Sequence, residues 1–249
     1  MFFFEILFVL LSLCDGLIEA VKLPSDIGRC KTKDPEFNDC LLKNIENAIR
    51  KFKDGAPQLG IPVFEPLKIT EMVIGEGTGP VNVQQNFRNI ELYGLTGSKI
   101  LKEIGDPEHD KLYSESITPQ LQLVGDYDIN GRILVLPIRG KGKFNITLTN
   151  SELTHNLTME KYTKKEKIFW KILDYVVTIK PEKMQYQFDN LFDGDERLGS
   201  EINKVINENW ESIYNDVKGG YEKSFGLIFR GLAESLFSRV PYNEIFIVE

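Results

Sequence analysis

Histidine is nearly missing from this chain. Only His109 and His155 occur in 249 residues, and neither has a partner at catalytic spacing. No Gly-x-Ser-x-Gly elbow is present, so a serine hydrolase of the usual kind is not expected. Cysteine is scarce too, and Cys14, Cys30 and Cys40 form no Cys-x-x-Cys pair and have no histidine nearby. A zinc or redox centre is therefore not expected. There is no apolar run long enough to span a bilayer, the longest being Ile6 to Leu13. A basic surplus is lacking: 37 acids against 30 bases leave a net charge of −7. That argues against nucleic acid and against simple attraction to anionic membranes. Internal repeats, low-complexity tracts and long linkers are absent as well.

What is present begins with a leader. Phe2-Phe3-Phe4 and Ile6 to Leu13 form an apolar block followed by polar residues and Ile18-Glu19-Ala20, as in a secretory signal over residues 1–20. Gly16 is a second cleavage point. Removal takes Glu5, Asp15 and Glu19 and no base, leaving 34 acids against 30 bases and a charge of −4. It also takes Cys14. Two cysteines left in a secreted chain are expected to pair, and closing so short a loop stabilises by about 2–3 kcal/mol. Residues 21–249 are expected to form a single domain.

Asp34-Pro35 reads as a helix start, and Phe37, Cys40, Leu41, Ile45, Ala48, Ile49 and Phe52 make an amphipathic stripe ending before Gly55 and Pro57. From Leu67 the period changes to two. Strands are predicted at 67–74, 81–83, 87–94, 121–127, 133–138, around Phe144-Ile146-Leu148, at 168–179 and at 184–188. Asn130-Gly131 serves as a hairpin signal between the fourth and fifth of these. From Leu198 to Val240, apolar residues recur every three or four positions along one helix stripe. Unbroken, such a helix runs roughly 65 Å, so a kink at Gly219-Gly220 is the alternative to an elongated molecule. Helix, long antiparallel sheet, long apolar helix: the order predicts an α+β fold in which a highly curved antiparallel sheet wraps the C-terminal helix.

The glycine motifs Gly75 to Gly79 and Gly140 to Gly142 lie beside strands and open no helix, so they predict turns and bulges, not phosphate loops. Asp189 to Glu196 fails as a calcium loop at Leu191 and Ser200; Asp193, Asp195 and Glu196 suit a helix N-terminus instead. Asp126 and Asp128 sit before a turn, where aspartate is ordinary. No metal, no cofactor and no enzymatic activity are expected. Asn145-Ile146-Thr147 and Asn156-Leu157-Thr158 are N-glycan acceptors in a secreted chain. What remains is a surplus of large apolar residues. It predicts an apolar ligand cavity lined by Phe144, Ile146, Trp170, Phe188, Val205, Trp210, Ile213, Tyr214, Phe225 and Phe229.

Five separated stretches carry a resemblance. Leu23 to Cys30 with Phe37 to Leu41, Gly125-Asp126-Tyr127, Gly131 to Lys143, Asn207 to Trp210 and Val240-Pro241-Tyr242 together resemble the insect takeout and haemolymph juvenile-hormone-binding protein family. The resemblance implies a tubular lipid-binding fold with a disulfide-strapped N-terminal helix, in which Cys30 and Cys40 match the family's paired cysteines. It also implies a monomeric carrier of a juvenile-hormone-like terpenoid or fatty chain, secreted into haemolymph-like fluid and linked to biological rhythms. A membrane-contacting lipid-transfer protein, or a signalling protein directed to a cell-surface receptor, are the alternatives.

Overall fold

The structure, a computed structural model, describes residues 21–248. The predicted signal over residues 1–20 lies outside the described residues. The elements in chain order are β1 (Cys30–Lys31), α1 (Phe37–Lys51), β2 (Leu67–Ile74), β3 (Val81–Asn82), β4 (Gln85–Tyr93), β5 (Lys99–Asp106), β6 (Lys111–Ile133) and β7 (Leu136–Lys164). They continue with β8 (Lys167–Lys180), β9 (Lys183–Phe188), α2 (Glu196–Glu208), α3 (Trp210–Phe237), α4 (Tyr242–Ile245) and β10 (Phe246–Ile247).

Two strands organise the sheet. β6 and β7, 23 and 29 residues long, form one antiparallel hairpin along nearly their whole length. β6 then carries β4, β3 and β5 on its other side, and β7 carries β8 and β9. β2 pairs with β4. The result is a highly curved antiparallel sheet around the long C-terminal helix, with α1 strapped on by the Cys30–Cys40 disulfide. Period two holds around Phe144 as predicted, but the phase slips once within β2, between Thr70 and Glu71, and again within β4 and β8. Phe144, Ile146 and Leu148 are buried while Asn145, Thr147 and Thr149 face outward, half-covered.

The helices seal the sheet's open edges with side chains. Along β9, Asn207 accepts from the Tyr186 N–H and donates to its carbonyl, both at 2.8 Å, and Asn203 does the same for Phe188 at 2.9 Å. On β5, the amides of Ile100 and Gly105 donate to Glu46 and Asn38 of α1, both at 3.0 Å. On β8, the Ile179 amide donates to Glu222 and its carbonyl accepts from the Tyr214 hydroxyl, both from α3. A row of unpaired backbone groups invites aggregation, and here polar side chains occupy it. The glycine-bearing loop before β3 closes on an internal anion. The Asp216 carboxylate on α3 accepts from the amides of Thr78, Gly79 and Val81 at 2.8–3.0 Å.

One expectation needs correction, and one open alternative falls. The hairpin turn is not at Asn130-Gly131, which lies inside β6 opposite Arg139 and Ile138; the turn is Leu134-Val135, with Leu134 at φ 57°. Gly131 is there because β3 presses against it: a Cβ would stand 2.4 Å from the Asn82 carbonyl. Nor does the long helix kink at Gly219-Gly220. It breaks at Asn209, between α2 and α3, where φ is −112° and ψ 18°, and α3 continues through both glycines. At Gly220 the helix crosses β2 so closely that a Cβ would stand 2.9 Å from Ile74 Cγ2.

Candidate functional site

α3 has two different halves. From Ile213 to Phe225 its inner face is fully buried in the main core, packed against β2, β8 and β9. From Ile228 to Phe237 the residues stay half-exposed, and Phe229, Leu232, Ala233, Leu236 and Phe237 look into a cavity of about 300 Å³. That volume is at the low end of the roughly 300–1,000 Å³ common for small-molecule sites.

The opposite wall comes from α1, whose predicted stripe supplies Ile45, Ala48 and Ile49, with Phe52, Ile61 and Phe64 just beyond it. The floor is the inner face of the sheet: Ile100 and Glu103 from β5, Leu112, Ser114, Ser116 and Thr118 from β6, Leu153, His155 and Leu157 from β7, and Tyr175 from β8. Apolar side chains dominate. The polar ones gather on one strip, because Ser114, Ser116 and Thr118 alternate along one face of β6.

Sheet register lines up Glu103, Ser114 and His155 on three adjacent strands. Serine stands between carboxylate and imidazole. In a nucleophilic triad the carboxylate holds the imidazole and the imidazole activates the serine, so the order differs from that relay. The imidazole is engaged elsewhere, with His155 Nδ1 3.0 Å from the Tyr175 hydroxyl and its ring against Phe229. Burial pushes the imidazole down to about 4, which leaves it neutral at physiological pH, and pushes the Tyr175 phenol up. Ser98 and Thr118 satisfy each other at 2.7 Å. Glu103 is only 3% exposed, and neither carboxylate oxygen has a hydrogen-bond partner among the described residues. Burial pushes its acid up to about 7; the Ser114 hydroxyl eases this slightly without being placed for a hydrogen bond.

Of the ten residues proposed from sequence for the cavity, only Phe229 lines it. Phe144, Ile146, Phe188, Ile213, Tyr214 and Phe225 are packed in the dry core, where Phe144 meets Phe87 at 4.6 Å and Phe188 meets Tyr127 at 4.9 Å. Trp210 packs half-buried against that core and Val205 is half-buried on α2. Trp170 sits one layer behind the cavity, edge-on to Phe237, Tyr242 and Phe246, with its indole N–H donating to Asp110. The surplus aromatics pack mainly on one another, which removes them from any wall. The missed residues had a signal: three hydroxyls at period two in Ser114-Glu115-Ser116-Ile117-Thr118, facing inward on a central strand.

Among the described residues no three His, Cys, Asp or Glu side chains gather as for a metal, and no helix is long and apolar enough to cross a membrane. Of the two sequons, Asn156 is exposed, whereas Asn145 is half-buried and its side-chain oxygen accepts from Gln122.

A curved sheet around a helix whose far half borders an apolar hollow is the tubular lipid-binding type of fold. The chain belongs to the haemolymph juvenile hormone binding protein (JHBP) family, whose profile matches residues 6–247. It is similar to the circadian clock-controlled protein daywake of Drosophila yakuba, 27% identical over 91% of this chain and 89% of that one. Daywake of Drosophila melanogaster is 26% identical over 90% and 88%. Among solved structures, Takeout 1 of Epiphyas postvittana shares the fold at a TM-score of 0.76 and 24% identity, over 88% of this chain and 98% of that one.

Proposed function

We propose that this protein is a secreted, non-enzymatic carrier that holds one small lipophilic molecule in the cavity between α1, the β5–β8 floor and the C-terminal half of α3. The observation that carries this is the contrast within one helix, close-packed from Ile213 to Phe225 and bordering an apolar cavity from Phe229 to Phe237. Apolar area taken from water contributes roughly 25 cal/mol per Å², less the ordering costs of binding. An isoprenoid or fatty chain suits such a wall, and the family's name, juvenile hormone binding, fits a terpenoid. Residues 1–20 direct secretion in this reading, residues 21–249 act as one domain, and Asn156 is the sequon that takes glycan. Mass spectrometry of organic extracts from protein secreted by insect cells is expected to find a lipophilic molecule at near one equivalent. Protein free of any such molecule, which also fails to take up labelled terpenoids or fatty chains, would refute the carrier. Sedimentation with neutral vesicles separates it from a lipid-transfer protein, which would pellet.

A further inference from the structure

Glu103 faces inward because β5 is irregular. Its pairing with β6 shifts between Ile100 and Lys102, so Ile100 and Glu103 point to the cavity while Leu101 and Ile104 are left 50% and 40% exposed. Regular alternation from Ile100 would have turned Lys102 and Ile104 inward and Glu103 outward. Bulges that re-aim a side chain are features of sites. This one exchanges an apolar contact for a buried carboxylate, and leaving such a group unpaired is costly.

We propose that Glu103 anchors the head group of the ligand, and that the ligand is a long-chain or terpenoid alcohol bound in preference to the corresponding carboxylic acid. This rests on the carrier reading above and deepens it. The polar strip offers little competition for such a head group: Ser98 with Thr118 and His155 with Tyr175 are paired already. Neither Glu103 oxygen has a hydrogen-bond partner among the described residues, and the Ser114 and Ser116 hydroxyls lie on the neighbouring strand. An alcohol donates its O–H to one Glu103 oxygen and accepts from a serine hydroxyl, so its head group is a donor and an acceptor at once. It also fits either protonation state, since a hydroxyl accepts from the protonated acid and donates to the carboxylate. A carboxylate ligand meets a like charge instead, and among the described residues no lysine or arginine lines the cavity to compensate. An ester or ketone accepts only, so Glu103 can serve it in its protonated form but not as the carboxylate.

The test uses delipidated full-length secreted protein, a neutral apolar dye (N-phenyl-1-naphthylamine) and three displacing probes: dodecane, 1-dodecanol and dodecanoic acid at pH 8. Displacement of the dye by dodecane tests the carrier reading by itself; failure there sinks that reading and this one with it. If dodecane displaces, dodecanol is expected to bind at least about tenfold tighter than dodecanoic acid, and Glu103→Gln to shrink that gap about tenfold by removing the like charge. Glu103→Met, with similar volume and no polar atoms, is expected to keep dodecane binding and lose the advantage of dodecanol over dodecane. Equal affinities in the native protein overturn the proposal while sparing the carrier. So does a gap left unchanged in whichever of the two variants folds.

Discussion

Asn203 on α2 and Phe188 on β9 exchange two hydrogen bonds of 2.9 Å, side-chain amide against backbone amide and carbonyl, so one helical residue takes the place of a neighbouring strand. Asn207, one turn on, repeats the exchange with Tyr186. The helix spacing of four matches the strand spacing of two because both advance about 6–7 Å. Asn203 is 9% exposed, so its loss strands two backbone groups away from water. Asn203→Leu is expected to cost about 2–4 kcal/mol in urea unfolding. Asn203→Asp should be nearly as harmful, because a carboxylate cannot donate to the Phe188 carbonyl. An aspartate variant of native stability would contradict this account of the edge.

Glu103 and His155 flank Ser114 and titrate in opposite senses. Glu103 is lifted from 4.5 to about 7, so between those values the folded chain holds a proton that the unfolded chain has released, and stability falls as pH rises. His155 is depressed from 6.5 to about 4, so across that window the unfolded chain binds the extra proton and stability rises with pH. Each effect amounts to roughly 3 kcal/mol, and between about pH 4.5 and 6.5 they oppose one another. The exposed carboxylates held low, Asp106 chiefly by His109 and Asp126 chiefly by Asn89, act below that window. A flat native profile from pH 4.5 to 6.5 is expected. Glu103→Gln should climb across it and His155→Gln should fall. Urea midpoints at half-unit pH steps check this, and two flat variants would show that neither group is buried as described.

Adjacent glycines on α3 should respond to alanine with opposite signs. Nothing stands within 4 Å of where a Gly219 Cβ would lie, so Gly219→Ala gains helix propensity alone, about 0.5–1 kcal/mol. At Gly220 the methyl would meet Ile74 Cγ2 at 2.9 Å. Gly220→Ala should therefore push α3 off β2 and cost about 1–2 kcal/mol. Thermal unfolding of the two variants side by side decides it, and two shifts of the same sign would reject the close approach.

Most strands, both helical stripes and the cysteine pair were legible, because period two, period 3.6 and a cysteine count of two after the leader each have few alternatives; β5, the first half of β6 and the second half of β7 were not foreseen. A bend at Gly219-Gly220 stayed open because glycine marks two things, backbone freedom and close approach, and at Gly220 the second applies. Asn209 ends α2 through its own contacts, its side chain donating to the Val205 carbonyl at 2.8 Å, and nothing in the apolar stripe announces that. The site was harder for a similar reason. A helix face packed against a sheet and one facing a hollow carry the same apolar residues, so the stripe from Leu198 to Val240 could not reveal that only its last third borders space. The bulge in β5 was hidden too, because Ile100, Leu101 and Ile104 fit either phase of a strand until pairing with β6 selects one.

The strap around α1 should govern ligand release more than it governs the sheet. Cys30 and Cys40 are ten residues apart, and Asn44 bolts the same corner by accepting from the Gly28 amide at 2.7 Å and donating to the Cys40 carbonyl at 3.0 Å. Cys30 also belongs to β1, which pairs in parallel with β10 next to the Trp170 cluster. α1 thus hangs between the disulfide and the two edge contacts that Glu46 and Asn38 make to β5. A double Cys30→Ser, Cys40→Ser variant is expected to lose about 2–3 kcal/mol overall, with hydrogen-exchange protection falling in α1 and at Phe246-Ile247 while β9 keeps its own. Since Ile45, Ala48 and Ile49 form one wall of the cavity, a lipophilic probe should leave this variant faster with little change in its association rate. Unchanged release, with α1 as protected as before, would mean that the helix is held by its apolar face alone and that the disulfide is no part of a gate.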